Sequence, residues 1–168
     1  MIRSITRLPK YYLLRIKRLR GDPYYLARGI GFGVFMGVLP LVPIQTLLLI
    51  PLSAVLQVST IAALIASIIV SNPLTFLPQY YLTWKLGNFI LPGRISWEQL
   101  HNVLLTIQNE GFFDGVVTFS HLGIKTISVL LTGGALIGLP LGVISYFVSL
   151  QLFRALRRKR AEKHKLKK

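Results

Sequence analysis

GIGFGVFMGVLPLVPIQTLLLIPLSAVLQVSTIAALIASIIVSNPLTFLPQYYLTW, residues 29–84, contains no Asp, Glu, Lys, Arg or His. This run of 56 residues is bounded by Arg28 and Lys85. A soluble domain of 168 residues cannot hide so much uncharged apolar sequence from water. A bilayer can, because a spanning helix needs only about 20 apolar residues. Proline interrupts the run at Pro40, Pro43, Pro51, Pro73 and Pro78, which points to irregular backbone within the membrane.

Outside the run the chain is basic, with a formal net charge of +15 and a pI near 10.7 beside a mean hydropathy of +0.57. The distribution resolves that conflict. Residues 1–28 carry eight Lys/Arg against Asp22, and residues 154–168 carry nine against Glu162. Between them stand only Lys85, Arg94 and Lys125 against Glu98, Glu110 and Asp114, so the three parts have net charges of +7, +8 and, for the middle, 0. Basic flanks stay in the cytoplasm, which places both tails there and requires an even number of crossings. The tails suit anionic phospholipid headgroups, at about 1 kcal/mol per basic residue near the surface. They flank apolar spans rather than lining an aromatic groove or a reading helix, so nucleic acid is not the expected partner.

Residues 2–20 place Ile2, Ile5, Leu8, Tyr12, Leu13, Ile16 and Leu19 among basic residues at helical spacing, a helix lying on the membrane surface. The same basic residues rule out the apolar core of a cleavable signal peptide. Gly21 ends this helix. Asp22 then caps a new one with Pro23 in its first turn. Gly29, Gly33 and Gly37 lie four apart on that helix and form a face for close backbone packing. Pro40 and Pro43 stop it.

The second stretch, Ile44–Leu56, is about 20 Å long as helix, too short to span comfortably. In the third, Val58–Val70, small residues recur at Ser59, Ala63, Ser67 and Ser71. A second polar break follows at Asn72-Pro73-Leu74-Thr75-Phe76-Leu77-Pro78-Gln79. Tyr80, Tyr81, Trp84 and Lys85 then form an interfacial cluster. Lys85 is either a functional group at depth, if residues 76–92 span, or a snorkelling side chain, if they form a half-helix. Residues 94–125 carry a capping box, Ser96 with Gln99, and one apolar face, and read as an extracytoplasmic amphipathic region. The last span, residues 126–153, is uncharged and carries Gly134, Gly138 and Gly142, with Pro140 between the last two. The simplest expectation pairs this stripe with Gly29, Gly33 and Gly37, within one chain or across a homodimer.

No catalytic constellation is present. The absence of cysteine excludes disulfides and Cys-based metal sites. His101, His121 and His164 are scattered without metal-ligand spacing, and Gly111 between Glu110 and Asp114 suggests a turn rather than paired carboxylates. No enzyme activity, metal or cofactor is expected. A proton relay normally leaves ionisable groups within the membrane, and the long run has none.

The two breaks are the most suggestive feature. Each sets prolines and an amide in apolar sequence, with Gln45 beside Pro40 and Pro43, and Asn72, Thr75 and Gln79 around Pro73 and Pro78. Non-helical backbone at membrane depth must be buried in protein or line a wet cavity. Paired broken segments point to a binding site in transporters. The competing reading makes them turns of ordinary hairpins near the surface.

Asp22-Pro23, Gly33-Val34-Phe35-Met36-Gly37-Val38-Leu39-Pro40, Gln45-Thr46, Asn72-Pro73-Leu74-Thr75, Tyr80-Tyr81 and Leu86-Gly87 together resemble the bacterial domain-of-unknown-function family 2062. The resemblance covers about residues 20–150 and implies a small integral inner-membrane protein of bacteria, with no activity attached.

The sequence thus predicts an all-α integral membrane protein in the bacterial inner membrane with both termini cytoplasmic. It has a basic surface helix at residues 1–21, a membrane domain at 22–153 that includes the 94–125 region, and a basic tail at 154–168. About four apolar membrane segments are expected, with the two at the proline breaks of re-entrant length. The expected function is binding or moving a small or lipid-linked substrate through Gln45, Asn72, Thr75 and Gln79. The alternative is a structural or accessory subunit that docks a homo-oligomeric or membrane-protein partner through its glycine stripes or basic tails.

Overall fold

Asp22 opens the first helix as its chemistry favours. In the computed structural model its Oδ2 accepts from the N–H groups of Tyr24 at 3.1 Å and Tyr25 at 3.2 Å, two of the donors a helix start leaves unpaired. The structure describes residues 21–40, 44–92, 96, 98, 101 and 123–165. Among them are five α-helices and no strand: α1 (Pro23–Val38), α2 (Gln45–Val55), α3 (Thr60–Val70), α4 (Pro73–Ile90) and α5 (Gly123–Lys165). The surface helix expected at 2–20 and Pro43 lie outside the described residues, as does all of 94–125 except Ser96, Glu98, His101 and the first turn of α5.

α1 is sandwiched between α3 and α5, α4 packs on α5, and α2 lies chiefly against α3. The glycine stripes do not pair as the sequence suggested. Gly29, Gly33 and Gly37 face the small residues of α3: a Cβ on Gly29 would stand 2.5 Å from the Ser59 carbonyl oxygen, and one on Gly33 would overlap the Ala63 carbonyl. The second stripe meets a different side of α1, with Gly142 at Gly31, Gly138 at Phe35 and Gly134 at Leu39 and Pro40. The correction has a geometric cause. Gly31 is two residues from Gly29, which is about 200° around the helix, so α1 carries close-approach faces on opposite sides. Small residues of α3 complement one and glycines of α5 the other.

Two apolar clusters fill these contacts. Leu26, Ala27 and Ile30 of α1 meet Ala62, Ile65 and Ala66 of α3 and Leu150 and Phe153 of α5. Met36 and Leu39 meet Leu49 of α2 and Ala63 of α3. The α2–α3 connection is held by its backbone, with the Val58 N–H on the Ser53 carbonyl at 3.0 Å and the Gln57 N–H on that of Ala54 at 3.1 Å. That is a Schellman cap, and it puts Gln57 at φ +50°, a conformation glycine usually supplies.

Prolines act unequally. α1 ends at Val38, ahead of Pro40, and Pro73 stands in the first turn of α4, where its missing N–H does no harm. The expected break at Pro78 is corrected, because α4 runs through it. Pro78 removes only the bond to the Leu74 carbonyl, and the turns on either side continue. Pro51 and Pro140 likewise lie inside α2 and α5.

α2 and α3, with 11 residues each, are about 16 Å long, roughly half a hydrocarbon core. Within α5, Thr126–Lys159 is the one stretch among the described residues long and apolar enough to cross a bilayer as a single helix. Many large apolar side chains face outward on α2 to α5, among them Val55 at 78% exposure and Phe89 at 87%.

Candidate functional site

The end of α1 is where the two breaks meet. A helix leaves its last carbonyls without internal donors. Here the Leu39 N–H serves Phe35 at 3.3 Å, and side chains from other elements serve Gly37 and Val38. Gln79 Nε2, on α4, donates to the Gly37 carbonyl at 2.7 Å and to that of Val38 at 3.0 Å. Ser71 Oγ, at the end of α3, donates to the same Gly37 carbonyl at 2.8 Å and accepts from Gln45 Nε2 at 3.2 Å. Gly37 thus has both carbonyl lone pairs filled, and α1, α2, α3 and α4 are tied at one point.

Gln45, only 5% exposed, opens α2 and is the most buried member of this node. Gln79 and Ser71 are half-buried. Asn72 and Thr75 do a neighbouring task. The Thr75 hydroxyl accepts from the Asn72 N–H at 3.2 Å and lies 2.7 Å from the Val70 carbonyl and 2.9 Å from that of Asn72, with one proton for the two. They join the end of α3 to the start of α4. Of the four expected binding residues, the structure therefore brings Gln79 to the Gly37 carbonyl directly and Gln45 to it only through Ser71, and puts Asn72 and Thr75 at the adjoining cap. Ser71 completes the node and was missed as a ligand-type residue, because a serine in a small-residue stripe signals packing first.

No donor among the described residues reaches Gln79 Oε1. The node can therefore still accept a hydrogen bond, while its amide donors are committed within the protein, Gln79 to backbone and Gln45 to Ser71. Among the described residues no group of His, Asp and Glu gathers to hold a metal ion.

Beyond the end of α1, α4 and α5 cross closely. A Cβ on Gly133 would overlap the Thr83 carbonyl, and one on Gly87 the Val129 carbonyl. Beside this crossing Tyr81 and Trp84 lie 6.0 Å apart and Lys85 Nζ stands 5.8 Å from the Tyr81 ring. Lys85 itself is exposed.

The opposite end of α1 is cationic. The Arg154 guanidinium lies over the Tyr24 ring, 4.8 Å from its centre, and donates to the Tyr24 hydroxyl. Arg157 is 3.9 Å from Asp22 in an exposed pair. Pro23, Tyr24, Arg154, Arg157 and Arg158 line a cavity of about 430 Å³.

The profile of the family described as "Uncharacterized protein conserved in bacteria (DUF2062)" matches residues 6–162, and the chain belongs to that family. No curated protein and no solved structure matches the chain.

Proposed function

We propose that this family member is an integral membrane protein that binds or moves a small or lipid-linked substrate, without catalysis, at the node formed by its two proline breaks. The observation that carries the reading is the convergence of the breaks. Segments 33 to 35 residues apart in sequence meet at the Gly37 carbonyl, to which Gln79 and Ser71 both donate, while Gln45 donates to Ser71. Irregular backbone in an apolar setting is tolerated where protein satisfies it or a polar cavity adjoins it. Gln79 Oε1 supplies the acceptor for a hydroxyl or amine of the substrate.

The membrane placement follows the long helix. Lys85 sits between Thr83, which meets Gly133, and Gly87, which meets Val129. From that level to Arg154 is about 23 residues of α5, or about 34 Å, close to the ~30 Å of a hydrocarbon core. On this scale the node, level with about residue 136 of α5, lies about 27 Å from Arg154, nearer the Lys85 side than the midplane. α1 and α2 then form a re-entrant hairpin with its tip at Pro40, α3 and α4 together make one broken crossing, and α5 makes the second. Two crossings keep both basic ends on the cytoplasmic side, as their charge favours.

A second reading rests on the same hydrogen bonds. Because the node's amide donors already serve groups of the protein itself, Gln79 the backbone and Gln45 the Ser71 hydroxyl, both residues support a structural or accessory subunit that docks a membrane partner. Native mass spectrometry of chain purified from its own membranes separates the two. Substrate binding predicts a co-purifying non-protein species that is lost in Gln79→Glu while the chain stays folded. An unchanged species in that variant, or a co-purifying polypeptide alone, would favour the accessory role.

A further inference from the structure

A groove of about 300 Å³ runs between α1 and α5, away from the node. Phe32, Phe35, Leu139, Val143 and Tyr146 wall it, and Gly31 and Gly142 bring the two backbones together along it. Its lining is apolar except at one end, where Arg28 stands. Arg28 is the only charge on α1, and the next charge in the sequence is Lys85.

The groove points toward the cationic end of the molecule. Tyr24, Arg28, Gly31 and Phe35 recur at intervals of four, three and four, so they share a face of α1. Leu139, Val143, Tyr146, Arg154 and Arg157 similarly follow one side of α5. The face therefore continues from apolar walls through Arg28 to the cavity lined by Arg154, Arg157 and Arg158. Four guanidinium groups stand here against the single carboxylate of Asp22, 3.9 Å from Arg157. A planar guanidinium matches two phosphate oxygens at once.

We propose that this face is a binding site for one anionic phospholipid, its acyl chain in the α1–α5 groove and its phosphate held by Arg28 and Arg154. Charge complementarity identifies the occupant. An uncharged lipid would fill the groove as well but would leave Arg28 and Arg154 without a counter-ion, since Asp22 pairs with Arg157. The site rests on the membrane placement above and is separate from the node. It also differs from diffuse attraction by the basic tails, because it requires two particular arginines and an open groove.

The test exchanges the full-length purified chain into micelles holding phosphatidylglycerol and phosphatidylcholine in equal amounts, and counts retained lipid by native mass spectrometry. Phosphatidylglycerol should be retained about tenfold or more over phosphatidylcholine. The double variant Arg28→Gln, Arg154→Gln should bring the ratio to about one, while Lys163→Gln, Lys165→Gln, with the same change in charge, should preserve it. Val143→Trp, which fills the groove without touching an arginine, should reduce retention of both lipids and keeps the test decisive if the arginine variant does not fold. Equal retention of the two lipids by the unaltered chain overturns the site. So does equal loss in the two charge-neutralised variants, which assigns the preference to the tails. Extraction of the chain from membranes by alkaline carbonate would overturn the membrane placement and the site together, whereas a carbonate-resistant chain with no lipid preference overturns the site alone.

Discussion

Gln79 shows how a residue's role depends on a partner that carries no sequence signal. Its amide in an apolar stretch is conspicuous, but the carbonyls it serves, Gly37 and Val38, are backbone and look like any others until α1 stops short of Pro40. Gln79→Leu leaves the Val38 carbonyl without that donor and should cost about 1–3 kcal/mol. The expected result is a lower thermal midpoint in detergent, followed by circular dichroism; an unchanged midpoint would show that the node does not hold the fold together. Gln57 is the opposite case. It occupies a left-handed position at the α2–α3 cap, which costs a non-glycine residue roughly 1 kcal/mol. Gln57→Gly should recover much of that and raise the midpoint, since the cap's hydrogen bonds are backbone to backbone. Asp22, by contrast, was fully legible, because a cap, a proline and the helix they start are local in sequence.

At the level of elements, helix positions were readable and helix partners were not. Apolar runs and their punctuation place α1, α2, α3 and the start of α5 within a few residues of where they stand, whereas α5 continues twelve residues past the expected end at Phe153, through the basic segment to Lys165. A glycine stripe, however, is a smooth face that states how close a neighbour comes and not which neighbour it is. The clue to the sandwich was Gly31, which falls off the Gly29, Gly33, Gly37 register and onto the other side of α1. Gly87 and Gly133 form the tightest crossing of α4 and α5 without belonging to any repeat. Substitutions separate these contacts. Gly33→Leu would drive its side chain into the Ala63 backbone and should destabilise by about 1–3 kcal/mol or more, with release of α2 and α3 to limited proteolysis. Leu136→Ala, at a side chain 45% exposed on α5, should leave the proteolytic pattern unchanged. Equal patterns for the two variants would count against the α1–α3 contact.

For the molecule as a whole, α5 is the ruler against which the rest is placed. α1 meets it from Arg154 to Gly134, and α4 meets it at Gly133 and Val129, so α1 and α4 occupy successive stretches of one helix. A count of apolar segments cannot reveal that arrangement, because four short helices and two crossings give the same hydropathy profile as four spans. The distinction is the depth of the α1–α2 tip. The chain has no cysteine, so single introduced thiols report side and depth without background. Arg158→Cys and Gln57→Cys should react with a membrane-impermeant maleimide only from the cytoplasmic side, since Ser59 beside the α2–α3 turn bonds to Tyr25 near the start of α1. Phe89→Cys, near the end of α4, should react only from the other side. Thr46→Cys is the decisive position. It is exposed on the protein surface one residue beyond Gln45, yet on the scale set by α5 it lies about 10 Å inside the Lys85 level, a depth the proposed placement assigns to hydrocarbon. It should be unreactive from both sides; rapid labelling from the Phe89 side would make the α1–α2 hairpin a pair of full spans and move the node to the membrane surface.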